Sequence, residues 1–167
     1  MRISNVIAEP ELALILSLSK DEGVPRSPFM TEDLPIEGHA SLFWTRDLND
    51  DVTAAGAFAE SIARTGPGGV KMLHQHDDAE PIGVWDEIAE DAAGLFVRGR
   101  ILRTTARGRL VAALVQAGAL DGLSIGFRAV KARPDETGRL RVLREVELWE
   151  VSVVTFPMLP QARLKRA

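Results

Sequence analysis

The chain has 167 residues, of which 46% are hydrophobic and 26% are charged, so it can bury one core but is short for two domains. Its net charge of −4 provides no broad basic surface, which excludes nucleic acid as a partner bound through its phosphates. The absence of cysteine excludes disulfides and thiolate nucleophiles and is typical of a reducing, cytoplasmic setting. The longest apolar run, residues 12–18, is far below the roughly 20 residues that span a bilayer, so no membrane association is expected.

The first 34 residues differ from the rest of the chain. Prolines at positions 25, 28 and 35 prevent a continuous helix or strand there. We therefore predict an irregular leader over residues 1–34 and one folded domain over residues 35–167.

The remaining sequence alternates between strand-like and helix-like patterns. Strands are predicted at 36–44, 70–76, 81–88, 95–102, 123–131 and 139–156, and helices at 55–64 and 105–117. A polar loop is predicted at 47–51 and an acidic turn at 77–80. The predicted buried stripe of the second helix consists of Leu110, Ala113, Leu114 and Ala117. These elements predict an α+β fold, a small, mostly antiparallel, β-barrel-like core of about six or seven strands with two or more helices.

Ser124 lies in a predicted strand. Leu123, Ile125 and Phe127 share one face of that strand, whereas Ser124 and Gly126 share the other, so the serine projects away from the apolar packing. Gly126 predicts open space beside the hydroxyl, which a nucleophile needs in order to admit a substrate carbonyl. An ordinary strand serine beside a glycine bulge explains the same residues, and the local pattern alone favours that explanation.

Two histidines, His74 and His76, lie at the end of another predicted strand. By strand parity both project from the same face. Because the unperturbed pKa of histidine is near 6.5, such a residue can accept and return the proton of a serine around neutral pH. Two histidines two residues apart can instead bind zinc, with Asp77 or His39 as a third ligand, or can form a purely structural pair.

Glu150 lies in the last predicted strand, on the same face as Leu148 and Ser152, and an apolar run follows it. We expect this carboxylate to be partly buried, which requires a cation or several donors nearby. A salt bridge to an arginine is one explanation, and a carboxylate that orients a catalytic histidine is the other. Glu147 is predicted on the opposite face and is the weaker candidate for that role.

Taken in their order along the chain, these segments resemble the tailed-phage prohead (capsid maturation) serine protease family, which shares its fold with herpesvirus assemblin. The similarity covers residues 36–160. The segments that carry it are 36–40, 56–58, 75–77 with 81–83, 94–95, 118–127, 148–152 and 156–157. Each segment alone is weakly specific, whereas the ordered set is specific.

The resemblance implies a serine endopeptidase with Ser124 as nucleophile and His76 as general base. Glu150 is the expected third member, and Glu147 is the alternative. Arg128, on the predicted Ser124 face, is a candidate to stabilise the oxyanion. The resemblance implies no cofactor and no metal.

The resemblance also implies a biological role. Family members cut scaffold segments from capsid protein, and often cut themselves, inside the freshly assembled prohead. We therefore expect the major capsid protein or its scaffold segment as substrate, the prohead interior in the host cytoplasm as location, and a homodimer by analogy. The portal protein is a further candidate partner. A non-catalytic capsid assembly module with the same fold is the alternative, and a zinc hydrolase built on His74 and His76 is a third hypothesis.

Overall fold

The computed structural model describes residues 32–165, which form seven strands and two helices. The strands are β1 (Leu34–Leu42), β2 (Asp51–Thr53), β3 (Lys71–His74), β4 (Asp77–Glu90), β5 (Gly94–Ile101), β6 (Gly122–Pro134) and β7 (Arg141–Val154), and the helices are α1 (Ala59–Gly69) and α2 (Ala106–Gln116). The predicted leader falls almost entirely, at residues 1–31, outside the described residues.

The seven strands form one curled, barrel-like sheet. The strand order is β1-β5-β4-β3-β7-β2, and β6 pairs with the other edge of β7. Neighbouring strands are antiparallel, except that β2 and β3 run parallel to β7. A bridge between Phe43 and Thr53 joins the two ends of this order, and a bridge between Gly38 and Leu164 ties β1 to the last described residues. The predicted α+β, mostly antiparallel, barrel-like fold is therefore confirmed.

One face of the β6–β7 pair packs against the apolar core. Leu123 faces Val153 and Ile125 faces Val151 across the two strands. Leu123, Val151 and Val153 have no exposed surface. Because side chains alternate along a strand, this packing fixes both strands and leaves their other face for polar groups.

Helix α1 covers the edge of β7 between β2 and β3. The backbone N–H of Val146 donates to the carbonyl of Ala57 at 2.9 Å, and the N–H of Leu148 donates to Ser61 Oγ at 2.9 Å. These bonds satisfy strand donors that would otherwise be buried without a partner. The helix begins at Ala59, which is later than the predicted start at residue 55.

The predicted buried stripe of α2 is wrong except at Leu114, which is half-buried and packs against the core. Leu110 is 48% exposed, whereas Val111 and Ala112 are buried. The helix is rich in alanine and valine, so apolar residues occur on more than one face and the periodic pattern does not select between them. Thr105 caps this helix by accepting a hydrogen bond from the N–H of Gly108 at 2.9 Å. Within residues 32–165, no helix is long and apolar enough to cross a membrane.

The short strand β2 replaces part of the predicted loop at 47–51. Asp51 begins this strand, is 5% exposed, and accepts two hydrogen bonds from Arg141 at 2.6 and 2.5 Å. A strand of three residues that pairs in parallel with a distant strand has too little alternation for sequence patterns to reveal it.

Candidate active site

His76 lies in a two-residue turn between β3 and β4. Gln75 and His76 have φ values of 58° and 61°, and His74 pairs with Asp77 across the turn. Positive φ at both central residues is typical of a type I′ hairpin turn, which usually contains Asn and Gly. A non-glycine residue in this conformation costs on the order of 1 kcal/mol, so other contacts must stabilise the turn. The predicted strand bounds of 70–76 and 81–88 are wrong at this turn, because β3 ends at His74 and β4 begins at Asp77.

The imidazole of His76 contacts the carboxylate of Glu150. The distance from His76 Nδ1 to Glu150 Oε1 is 2.6 Å. Since an ionised carboxylate only accepts hydrogen bonds, Nδ1 carries a proton, and in the neutral ring Nε2 keeps its lone pair. The hydrogen bond to Glu150 raises the pKa of His76, while burial of the ring opposes this effect and the charge of Glu150 adds to it. The ring can therefore accept a proton at Nε2.

The carboxylate of Glu150 is buried and has a second partner. The residue is 9% exposed, and its Oε2 accepts a hydrogen bond from Ser152 Oγ at 2.7 Å. The Ser152 hydroxyl also accepts a hydrogen bond from the backbone N–H of His76 at 3.0 Å. In the part of the chain that the structure describes, the carboxylate of Glu150 contacts the imidazole of His76 and not the guanidinium of an arginine. Glu150 and Ser152 together therefore contact both the ring and the backbone of His76.

Ser124 lies in β6 on the same face as these groups. Its direct neighbour across the β6–β7 pair is Ser152, and such neighbours point to one face with Cβ atoms about 5 Å apart. Ser124 is 4% exposed and lines a cavity together with Ser41. Among residues 32–165, the side-chain and backbone hydrogen bonds of His76 go to Glu150 and Ser152 and not to Ser124. In hydrolases without substrate this serine–histidine contact is often long.

Gly126 makes room for Glu150 rather than for the hydroxyl of Ser124. It lies directly opposite Glu150 in the β6–β7 pair. A Cβ atom at position 126 would lie 2.1 Å from Glu150 Oε1. The prediction of open space at this glycine is therefore corrected, because the carboxylate fills that space.

Glu147 and Arg128 bind each other. Gly126 faces Glu150 and Arg128 faces Glu147, so β7 has one more residue than β6 between these pairs. This β-bulge places both glutamates on the same face, and the parity prediction for Glu147 is wrong. Glu147 accepts hydrogen bonds from Arg128 at 2.7 and 3.0 Å and from Arg64 at 3.0 Å. The bond from Arg128, more than any other contact, lowers the pKa of Glu147. The guanidinium of Arg128 is thus engaged by a carboxylate.

The residues considered as zinc ligands do not come together. Among residues 32–165, no three histidine or acidic side chains are grouped closely enough to hold a metal ion. His39 contacts Asp91 at 2.8 Å, and Asp77 accepts the backbone N–H of Ala79 at 3.0 Å. The zinc hypothesis therefore has no geometric support in this part of the chain.

Two residues for which the sequence predicted no role contribute to the site. Ser152 binds Glu150, and its place on the same predicted strand face was a usable signal. Gln75 donates its backbone N–H to the carbonyl of Val153 at 3.1 Å, and its side-chain amide exchanges hydrogen bonds of 2.7 and 3.2 Å with Thr155. Gln75 belongs to the family-like segment 75–77, but no role in a turn was predicted for it, because glutamine is not a typical residue of a type I′ turn.

A family comparison identifies the class of protein to which this chain belongs. The model of the caudovirus prohead serine protease family matches residues 25–167, which is more than half of the chain. The chain belongs to this family, and the resemblance inferred from its motifs is confirmed.

Two phage proteins are similar to this chain. The prohead protease of Enterobacteria phage HK97 is 35% identical over 128 residues, which cover 75% of this chain and 56% of that protein. The prohead protease of Escherichia phage T5 is 32% identical over 123 residues, which cover 73% of this chain and 57% of that protein. The chain therefore spans little more than half the length of these relatives.

Two solved structures share the fold. The bacteriophage T4 capsid assembly protease superposes with a TM-score of 0.57 at 16% identity, over 72% of this chain and 80% of that chain. The KSHV protease bound to a hexapeptide phosphonate inhibitor superposes with a TM-score of 0.53 at 13% identity, over 80% of this chain and 64% of that chain. At such identities the likeness concerns the fold, and the assemblin-like architecture is confirmed.

Proposed function

We propose that the chain is a serine endopeptidase that cleaves scaffold segments of capsid protein, and itself, during maturation of a prohead. The observation that carries the proposal is the contact of 2.6 Å between His76 Nδ1 and Glu150 Oε1, with Ser124 on the same sheet face. This arrangement leaves Nε2 free to act as a base. Membership of a protease family and the two phage relatives support the same activity.

The proposed reaction proceeds through an acyl-enzyme. Ser124 Oγ attacks the scissile carbonyl carbon while His76 Nε2 takes the hydroxyl proton, and a tetrahedral intermediate forms. The imidazolium, stabilised by Glu150, then gives this proton to the leaving amine as the C–N bond breaks. A water molecule then attacks the acyl carbon while His76 Nε2 takes a proton from the water. The imidazolium returns this proton to Ser124 Oγ as the ester bond breaks, which releases the second product.

The substrate and setting follow from the relatives. The two phage relatives are prohead proteases, and the T4 structure is a capsid assembly protease. We therefore propose the capsid protein or its scaffold segment as substrate, inside the prohead in the host cytoplasm. A homodimer is proposed from family analogy alone.

The activity is tested by co-expressing the chain with the major capsid protein from the same source genome. Ser124→Ala should reduce the rate of capsid processing by at least about 10³-fold, because removing the nucleophile leaves only binding and electrostatic effects. Intact mass spectrometry of the capsid protein measures processing, and a thermal unfolding curve checks that the variant is folded.

Each alternative result has a definite meaning. Processing by Ser124→Ala at the rate of the unchanged chain would contradict the serine mechanism. Correct shells with an unprocessed capsid protein in the presence of the unchanged chain would favour the non-catalytic assembly module.

A further inference from the structure

The Ser152 hydroxyl links two groups of the site. It donates to Glu150 Oε2 at 2.7 Å and accepts from the backbone N–H of His76 at 3.0 Å. Ser152 has no exposed surface, so it cannot touch a substrate. Both hydrogen-bonding functions of this hydroxyl are thus used within the site.

The turn that carries His76 depends on contacts with the end of β7. Gln75 and His76 both have positive φ, which is rare for residues other than glycine. Besides the Ser152 contact, the turn is bound through the backbone N–H of Gln75 to Val153 and through the Gln75 side chain to Thr155. The strained turn is therefore stabilised from outside rather than by its own residues.

We propose that Ser152 is a positioning residue for the catalytic histidine. Through one hydroxyl it fixes the backbone of His76 and the carboxylate that binds the His76 ring. This arrangement orients Glu150 so that Nδ1 holds the proton and Nε2 stays available to Ser124. The inference rests on the proposed serine protease function and assigns a further residue to that site.

A purely structural serine elsewhere in the fold provides a matched control. Ser61 is 2% exposed, and its hydroxyl accepts the backbone N–H of Leu148 at 2.9 Å, much as Ser152 accepts that of His76. Ser61→Ala therefore removes a comparable buried hydroxyl from the neighbourhood of β7. It removes no contact with His76 or Glu150. A comparison with Ser152→Ala therefore separates a loss of protein stability from a loss of His76 positioning.

The test measures kinetics and the tautomer of His76 in Ser152→Ala and Ser61→Ala. For Ser152→Ala we expect kcat on a capsid-derived peptide to fall by about 10-fold with KM unchanged, as for other outer hydrogen-bond partners of an active site. In ¹⁵N-histidine spectra of the neutral ring, the share with the proton on Nε2 should rise. Ser61→Ala should lower the melting temperature while kcat and the tautomer stay as in the unchanged chain.

Opposite results overturn the inference. The inference is wrong if kcat and the tautomer of His76 stay unchanged in Ser152→Ala. It is also wrong if Ser61→Ala lowers kcat as much as Ser152→Ala does. If Ser152→Ala does not fold, Ser152→Cys keeps nearly the same volume with a much weaker donor and should show the same two changes.

A chain that is not a serine protease would give a different result. In that case the unchanged chain cleaves the peptide no faster than Ser124→Ala does. The tautomer spectra need no substrate, so they still decide whether Ser152 positions the His76 ring.

Discussion

Residues 32–165 contain two histidine–carboxylate contacts, one at the candidate active site and one at the β1–β5 side of the sheet. His76 uses Nδ1 to contact Glu150 at 2.6 Å, whereas His39 uses Nε2 to contact Asp91 at 2.8 Å. The contact at His39 uses Nε2, the ring nitrogen for which His76 has no hydrogen-bond partner among the described residues. A short histidine–carboxylate distance is therefore not by itself a sign of catalysis.

The two carboxylates also differ in their surroundings. The side chain of Asp91 is 47% exposed, and Asp91 Oδ1 accepts the N–H groups of Ala93 and Gly94 in a turn. The hydrogen bond to His39, followed by these backbone bonds, lowers the pKa of Asp91 to about 2. Glu150 is 12% exposed at its side chain and binds the Ser152 hydroxyl. The first pair lies at a surface turn, whereas the carboxylate of the second is buried on the sheet face that carries Ser124.

The largest expected difference between the pairs is in catalysis. His76→Gln should lower kcat/KM for capsid cleavage by at least about 10³-fold, because it removes the only proposed proton acceptor. His39→Gln is the matched control and should leave kcat/KM within about 2-fold, since His39 contacts a surface carboxylate. Steady-state cleavage of a capsid-derived peptide measures both. Equal losses in the two variants would remove the distinction between the pairs.

A smaller effect is expected from Glu150→Gln, which keeps the size of the side chain. The amide can place a donor against Nδ1 and so favour the tautomer with the proton on Nε2, and kcat should fall by about 10²-fold.

The same variant should change the pH profile. Because the hydrogen bond to Glu150 raises the pKa of His76, loss of the carboxylate should move the rising limb of kcat/KM to lower pH. A profile between pH 5 and 9 measures this shift. If the rising limb of kcat/KM lies at the same pH in Glu150→Gln, then Glu150 does not raise the pKa of His76.

Much of this site could be predicted because it lies on regular strands. Alternation along β6 correctly separated Ser124 from the core-facing Leu123, and β7 placed Glu150 and Ser152 on one face. The family motifs then distinguished His76 from His74. These inferences needed only the two-residue period of a strand and the order of the motifs.

The remaining features depend on departures from regular structure. A bulge near Trp149 moves Glu147 to the face of Glu150, and a turn with positive φ at Gln75 and His76 ends the strand early. Neither carries a typical sequence signal, because bulges and strained turns are stabilised by contacts distant in the sequence. The open space predicted at Gly126 is absent, because the Glu150 carboxylate from the neighbouring strand fills it.

The most direct test of the account is covalent labelling with a serine-reactive fluorophosphonate, followed by peptide mapping by tandem mass spectrometry. We expect one adduct, on Ser124, that His39→Gln retains and His76→Gln loses. An adduct on a different serine, or equal labelling of Ser124 in His76→Gln, would contradict the proposal that His76 activates Ser124.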